Sequence, residues 1–193
     1  MTGNDIIDRA AASIESNWKR NGFLEKIFTT QEQDYILRLP DPEQMVWRLW
    51  SMKESAYKIF NRQSGKRFYS PKLFACSILS ASQGTVHFHD HIYNTSTTVK
   101  AEYIYSIATD RNKEFRPAMN DWFLIPPSYI KNSREFIYNR ITEHYIHHSG
   151  KPAKGISFIK DRNDIPFLFC EETNAMIPVS VSQHGRFAAF TIN

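Results

Sequence analysis

Three short stretches of this 193-residue chain bring together residue types that do chemistry. In WSMKESAYK, residues 50–58, Glu54 stands between Lys53 and Lys58, behind Trp50. In GNDIID, residues 3–8, Asp5 follows Gly3 and Asn4 in a segment that continues into Ile6 and Ile7. In VSVSQHG, residues 179–185, Ser180 and Ser182 share one face of a strand that runs into a turn at His184 and Gly185. Singly, each has an ordinary explanation: a solvated Glu–Lys pair at i, i+4 worth about 0.2–0.5 kcal/mol, a turn or capping aspartate, and a hairpin. Together they describe a site for phosphate transfer. Mg²⁺ takes few protein oxygens and fills its octahedron with water and substrate phosphates, so Asp5 and Glu54 suffice as its protein ligands. Lysines beside them would neutralise pyrophosphate while a bond to phosphorus breaks. Serines, backbone N–H groups and a histidine would hold a remote phosphate.

The elements that must position these groups are legible from periodicity. Residues 2–7 read as a brief strand leading into a helix over 8–20, with Ala11, Ile14 and Trp18 at helical spacing. FLEKIF is a short helical turn, and Thr30 with Gln33 suggests a capping box for a helix over QEQDYILRL. The strongest helix follows, with Asp41 as N-cap, Pro42 in the first turn and Gly65 as the stop. Within it Met45, Leu49, Met52, Ala56 and Ile59 form a core stripe, while Trp47, Ser51, Glu54 and Lys58 follow the same rhythm on another face. KLFACSILSA, TVHFHDHIYN and TTVKAEYIYSIATD read as antiparallel strands separated by Gly84 and by residues 94–96. A helix over PPSYIKNSREFIYNRITEHYIHHSG ends at Gly150, and KGISFIKD, IPFLFC and MIPVSVSQHGRFAAFTIN return to strands. Helices, then strands, then a helix and strands imply an α+β fold, an antiparallel sheet packed on the long 42–64 helix. No internal repeat shows in the sequence.

The three motifs, in this order, resemble the 4′-phosphopantetheinyl transferase superfamily. Its G-x-D-I strand corresponds to Gly3, Asn4, Asp5 and Ile6, and its W-x-x-K-E-[AS]-x-x-K helix is matched at every motif position from Trp50 to Lys58. Its S-x-S-H strand corresponds to Ser180 and Ser182, with Gln183 where the family has His and His184 one place later. FLEKIFTTQEQDYI is similar to the family's stretch between the first two motifs. With the serine strand last, the order is that of the holo-acyl-carrier-protein synthase branch. The surfactin-synthetase-activating branch instead carries that strand before the aspartate and a Glu two residues after it, where this chain has Ile7. The resemblance covers residues 1 to about 65 closely and about 150 to 193 more loosely.

The resemblance implies Mg²⁺-dependent transfer of the phosphopantetheine arm of coenzyme A to a serine of an apo acyl or peptidyl carrier protein, as in fatty acid biosynthesis. Adenosine 3′,5′-bisphosphate is released. Asp5 and Glu54 would be the metal ligands, and Glu54 or a metal-bound water the base. Lys58 would stabilise the transferring phosphate and Lys53 the coenzyme A phosphates. Ser180, Ser182, Gln183 and His184 would meet the adenosine end, with either Gln183 or His184 in the family histidine's role. Arg9, Lys19 and Arg20 would face the acidic recognition helix of the carrier. The related synthases form trimers, so a homo-oligomer is one expectation and a self-sufficient chain the other.

Composition fits this reading and removes others. Apolar residues make up 41 % and aromatic residues 14 %, enough for a real core. A net charge of +4 suits an anionic partner, but the basic residues are spread along the chain rather than striped with aromatics, which counts against nucleic acid. Two cysteines without metal spacing, no signal-like N-terminus and no apolar run of about 18–20 residues point to a cytoplasmic protein off the membrane. The expected organisation is one transferase-like domain over residues 1–193, with an insertion at about 66–149. A non-catalytic relative that binds coenzyme A or carrier protein is the rival reading. His87, His89 and His91, and the pair His144 and His148, are spaced for zinc, but no Cys or Glu completes either set.

Overall fold

Residues 1–68, 70–111, 119–150 and 155–193 are described in the computed structural model of the chain. The first strand, β1 (Thr2–Asp8), is buried along its whole length although Asn4, Asp5 and Asp8 are polar. Asp8 caps α1 (Arg9–Glu15), its carboxylate accepting from the Ala10 and Ala11 N–H groups. The helix stops well short of the predicted residue 20. Beyond Ser16, Asn17 takes the Lys19 N–H on its side chain and the Arg20 N–H on its carbonyl, a turn that competes with the helix. α2 (Phe23–Ile27) and α3 (Thr30–Leu37) follow. The capping box of α3 is Thr29 with Glu32, one residue before the predicted Thr30 and Gln33.

The long helix α4 (Pro42–Ser64) has the expected ends: Asp41 accepts from the Gln44 N–H at 2.9 Å, and the chain leaves at Gly65. α4 crosses β1 so closely that a Cβ on Gly3 would stand 2.1 Å from the Ser55 carbonyl oxygen. Only glycine permits that approach.

A 3-10 turn (Pro71–Leu73) leads into β2 (Ala75–Ile78), β3 (Gln83–Phe88), β4 (His91–Val99) and β5 (Tyr103–Asp110). These four and β1 form one antiparallel sheet in the order β1-β5-β4-β3-β2. TVHFHDHIYN is therefore a hairpin turning at His89 and Asp90, and residues 94–96, predicted as a break, lie inside β4. His87, His89 and His91 sit on a strand, in a turn and on the next strand, not along one face. The shared core takes Val46, Leu49, Met52, Ala56 and Ile59 from α4 and Val86, Tyr93, Ile104 and Ala108 from the sheet.

The second half repeats this plan. β6 (Met119–Leu124), a 3-10 segment (Pro127–Asn132), α5 (Ser133–Ser149), β7 (Ile156–Lys160), β8 (Pro166–Cys170), β9 (Ala175–His184) and β10 (Phe187–Ile192) follow in order. Their sheet runs β6-β10-β9-β8-β7, which is the order of the first sheet strand for strand. Ile137, Ile141 and Tyr145 turn α5 onto Leu168, Val179, Ala188 and Phe190. The structure thus contains an internal repeat that the residues do not advertise, and it does not set 66–149 apart. Residues 75–110 complete the first sheet, and residues 119–149 open the second half. Lys154, which opens the predicted strand KGISFIKD, lies outside the described residues. A third cluster joins the halves, with Ile6, Tyr103 and Tyr105 packed against Phe187 and Ala189. Among the described residues no helix is long and apolar enough to cross a membrane.

Candidate active site

Asp5 reaches the site from the middle of β1, and α4 supplies the groups opposite it. Ser51, Glu54 and Lys58, at i, i+3 and i+7, share the face turned to β1. The Ser51 hydroxyl donates to the Asp5 carbonyl at 3.2 Å. Lys58 Nζ donates to the Asn4 carbonyl at 2.7 Å and to Asp5 Oδ1 at 3.2 Å. Asp5 Oδ2 is buried with no hydrogen-bond partner among the described residues. Burial pushes the Asp5 carboxyl up to about 7, with Lys58 pulling it down and the Glu54 charge pushing it further up. A buried carboxyl with a vacant oxygen and a second carboxylate beside it is an arrangement that a cation would stabilise.

Lys58 also lines a cleft of about 290 Å³ between the C-terminal part of α4 and the second half, with Arg62, Arg67, Asn163 and Ser180 among its walls. Arg62 is one turn beyond Lys58, its guanidinium 5.0 Å from the Phe167 ring and donating to the Val179 carbonyl at 2.6 Å. Burial holds Arg62 down to about 10, so it stays charged at neutral pH. A larger hollow of about 480 Å³ lies along α5, but it has no lysine and no link to Asp5, so chemistry selects the smaller cleft, which Lys58 ties to Asp5.

The family model of the 4′-phosphopantetheinyl transferase superfamily matches residues 1–112, from β1 through β5. The chain belongs to that superfamily. No curated protein matches it. The superfamily uses coenzyme A as co-substrate, acts on carrier proteins and typically employs a divalent metal. The donor set here fits such an ion: two carboxylates, one with a vacant buried oxygen. Among the described residues no group of three or more His, Cys, Asp or Glu side chains converges. Water and phosphate oxygens would therefore complete the shell, as suits Mg²⁺.

The other residues singled out by sequence lie elsewhere. Lys53 is fully buried about 100° around α4 from Glu54, its Nζ donating to both Glu32 oxygens at 2.8 and 2.9 Å and to the Phe74 carbonyl at 2.6 Å. Leaving that position would strip a buried Glu32 of its partner, a loss of about 3–5 kcal/mol. Ser180, Ser182 and His184 share a face of β9, and that face closes on the free edge of β1. Ser180 Oγ accepts from the Asn4 N–H at 3.2 Å, Ser182 Oγ from Asn4 Nδ2 at 3.2 Å, and His184 Nδ1 from the Asp8 N–H at 3.0 Å. The hydroxyl strand is thus a seam between the halves, and of its members Ser180 also borders the cleft.

Gln183 points away and accepts from the Ser133 hydroxyl at the start of α5. The seam ends at Asp8, where burial opposes ionisation but two Arg186 side-chain bonds and the Arg186 N–H bond outweigh it and lower the pKa. A Cβ on Gly185, at φ +51, would meet Asp8 Oδ2 at 2.6 Å. His144 and His148 stack at 4.0 Å, and a His148 ring nitrogen pairs with the His144 carbonyl. Sequence reasoning missed Arg62 and Arg67 as cleft residues. Helical spacing gave a signal for Arg62, four residues after Lys58 and eight after Glu54.

Proposed function

We propose that the protein transfers the 4′-phosphopantetheine arm of coenzyme A to a serine hydroxyl of an apo carrier protein, releasing adenosine 3′,5′-bisphosphate. The observation that carries this is Asp5, buried, with a vacant oxygen, beside Glu54 and tied by Lys58 to a cationic cleft. Asp5 and Glu54 would hold Mg²⁺, which supplies charge neutralisation at the pyrophosphate when bound. Lys58 meets the phosphate being transferred, where negative charge is redistributed in the transition state. Arg62 faces the phosphates that leave with the nucleotide, and Arg67 contributes less, being paired with Asp164 of the same cleft at 3.0 Å. Glu54 accepts the proton of the attacking serine as its oxygen bonds to phosphorus and the P–O bond to the nucleotide breaks.

The carrier docks beside the end of β1. Ile14 is 86 % exposed and Leu37 63 % exposed, and Lys19, Arg20 and Leu37 line a hollow of about 360 Å³ next to α1. An amphipathic acidic helix matches this mixture of apolar and basic groups. Arg9 contributes less, being engaged with Asp41 at 3.2 Å. Motif order favours the holo-acyl-carrier-protein synthase branch. The second half packed on β1 favours a site completed within one chain, and a count of only two cysteines, without metal spacing, favours the cytoplasm as its compartment.

The test is intact-mass spectrometry of an apo acyl carrier protein incubated with this protein, coenzyme A and Mg²⁺. Expected is a phosphopantetheine mass gain, abolished by EDTA and by Glu54→Ala. No gain on fatty-acid, polyketide or peptide-synthetase carriers, despite coenzyme A binding, would replace this reading with the non-catalytic relative.

A further inference from the structure

The Lys53–Glu32 pair is more completely bonded than a chance buried contact. Besides Lys53, Glu32 Oε2 accepts from the Thr29 N–H at 2.7 Å and Oε1 from the Cys76 N–H at 2.7 Å. Lys53 spends its third proton on the Phe74 carbonyl and lies 5.5 Å from the Phe28 ring. Five short polar contacts therefore tie the start of α3, the middle of α4 and the start of β2 to a single point. Buried ion pairs stabilise no better than apolar packing, but they fix geometry when every partner is satisfied. The next residue on α4 is Glu54, and one turn on is Lys58, which reaches Asp5. A small rotation of α4 about its axis leaves the apolar stripe in the core yet swings Glu54 away from Asp5. Ser51 and Lys58 oppose that rotation from the β1 side, and the directional Lys53 bonds oppose it from the side of α3 and β2.

We infer that Lys53 is a positioning residue that acts through Glu54. Its bond set with Glu32 locks the rotational setting of α4, and with it the spacing of Glu54 and Asp5, while its ammonium touches no substrate phosphate. The inference rests on the reading of Asp5 and Glu54 as the metal ligands for phosphopantetheinyl transfer.

The test is Mn²⁺ binding by electron paramagnetic resonance beside steady-state transfer kinetics, for the wild type, Lys53→Met, Glu32→Gln, and the double variant, with coenzyme A and Mg²⁺ varied separately. Lys53→Met is expected to weaken Mn²⁺ binding and raise the Mg²⁺ half-saturation, each at least tenfold, and to lower kcat at least tenfold, with the coenzyme A KM changed less than threefold. Adding Glu32→Gln, which removes the stranded buried charge, is expected to recover the urea midpoint while kcat and the Mg²⁺ half-saturation stay impaired, because the bonds that set α4 are still missing. Should Lys53→Met fail to fold, Glu32→Gln alone reads the same way: a raised Mg²⁺ half-saturation with an unchanged coenzyme A KM. A tenfold rise in coenzyme A KM at unchanged Mg²⁺ dependence would overturn the inference and make Lys53 a phosphate ligand. Unchanged Mg²⁺ dependence in a folded variant would overturn it too. A wild-type protein that transfers nothing overturns the parent reading and the inference with it, a result distinct from either.

Discussion

Asp5 holds a negative charge in a place that resists it, and its titration records the conflict. Its carboxyl is pushed up to about 7, first by burial and further by Glu54, against the pull of Lys58. A carboxyl whose folded pKa lies above its unfolded value, near 3.9, binds more protons folded than unfolded across that interval. Its contribution to stability is therefore greatest below about 4, falls as pH rises towards about 7, and is flat above that. Without divalent cation, Asp5→Asn should unfold at higher urea concentration than wild type at about pH 8, and Mg²⁺ should narrow the gap by stabilising only wild type. Equal midpoints across this range would mean that Asp5 carries no such cost. Lys58 is the second decisive residue. Lys58→Met should reduce kcat by about 10²–10³-fold, the usual effect of removing one donor to a charged transition state, with far-UV circular dichroism unchanged.

At the scale of elements, β1 and α4 function as one unit, and Gly3 sets their separation. Gly3→Ala brings a Cβ against the Ser55 carbonyl and within 3.1 Å of Ile59 Cγ1. The expected cost is about 1–3 kcal/mol by chemical denaturation, with at least a tenfold loss of transfer because Asp5, two residues on, moves with the strand. A neutral Gly3→Ala would show that the strand and helix can part without harm. Much of this unit was legible in the sequence. Asp41, Pro42 and Gly65 mark α4 by local rules, and the spacing of Ser51, Glu54 and Lys58 follows from helical geometry. Lys53 was not legible, because what occupies its side of the helix is Glu32, brought there by tertiary packing of α3. β6 was hidden because two of its six residues, Asn120 and Asp121, are polar and read as a turn. Alternation of the histidines at 87, 89 and 91 reads as one strand, whereas His89 at φ +50 and Asp90 turn the chain back on itself. The serine strand had the right periodicity, but sequence could not say that β1 would cover it.

At the scale of the molecule, the two halves share one plan and differ in what they place on it. β6 carries Asn120 and Asp121 beside β10, as β1 carries Asn4 and Asp5 beside β5. Facing Asp121 from α5 is His144, with Nδ1 3.8 Å from Oδ2, and His148 stands one turn on. Facing Asp5 from α4 are Glu54 and Lys58. The second half thus has an aspartate but sets histidines where the first has a carboxylate and a lysine, so one transfer site per chain is the expectation. Asp121→Asn should leave kcat/KM within about twofold of wild type, as befits a surface change away from the reacting groups, whereas Asp5→Asn should abolish transfer. Equal losses in the two variants would mean that both halves take part in chemistry.

The central claim is that Asp5 and Glu54 share one divalent ion at the pyrophosphate of coenzyme A. Electron paramagnetic resonance of the protein with Mn²⁺ and coenzyme A tests it most directly, since Mn²⁺ accepts the same oxygen ligands as Mg²⁺. The expected result is one bound Mn²⁺ per chain with phosphorus hyperfine coupling from coenzyme A, lost in both Asp5→Asn and Glu54→Gln. Bound Mn²⁺ without phosphorus coupling, or coupling that survives both substitutions, would contradict the account.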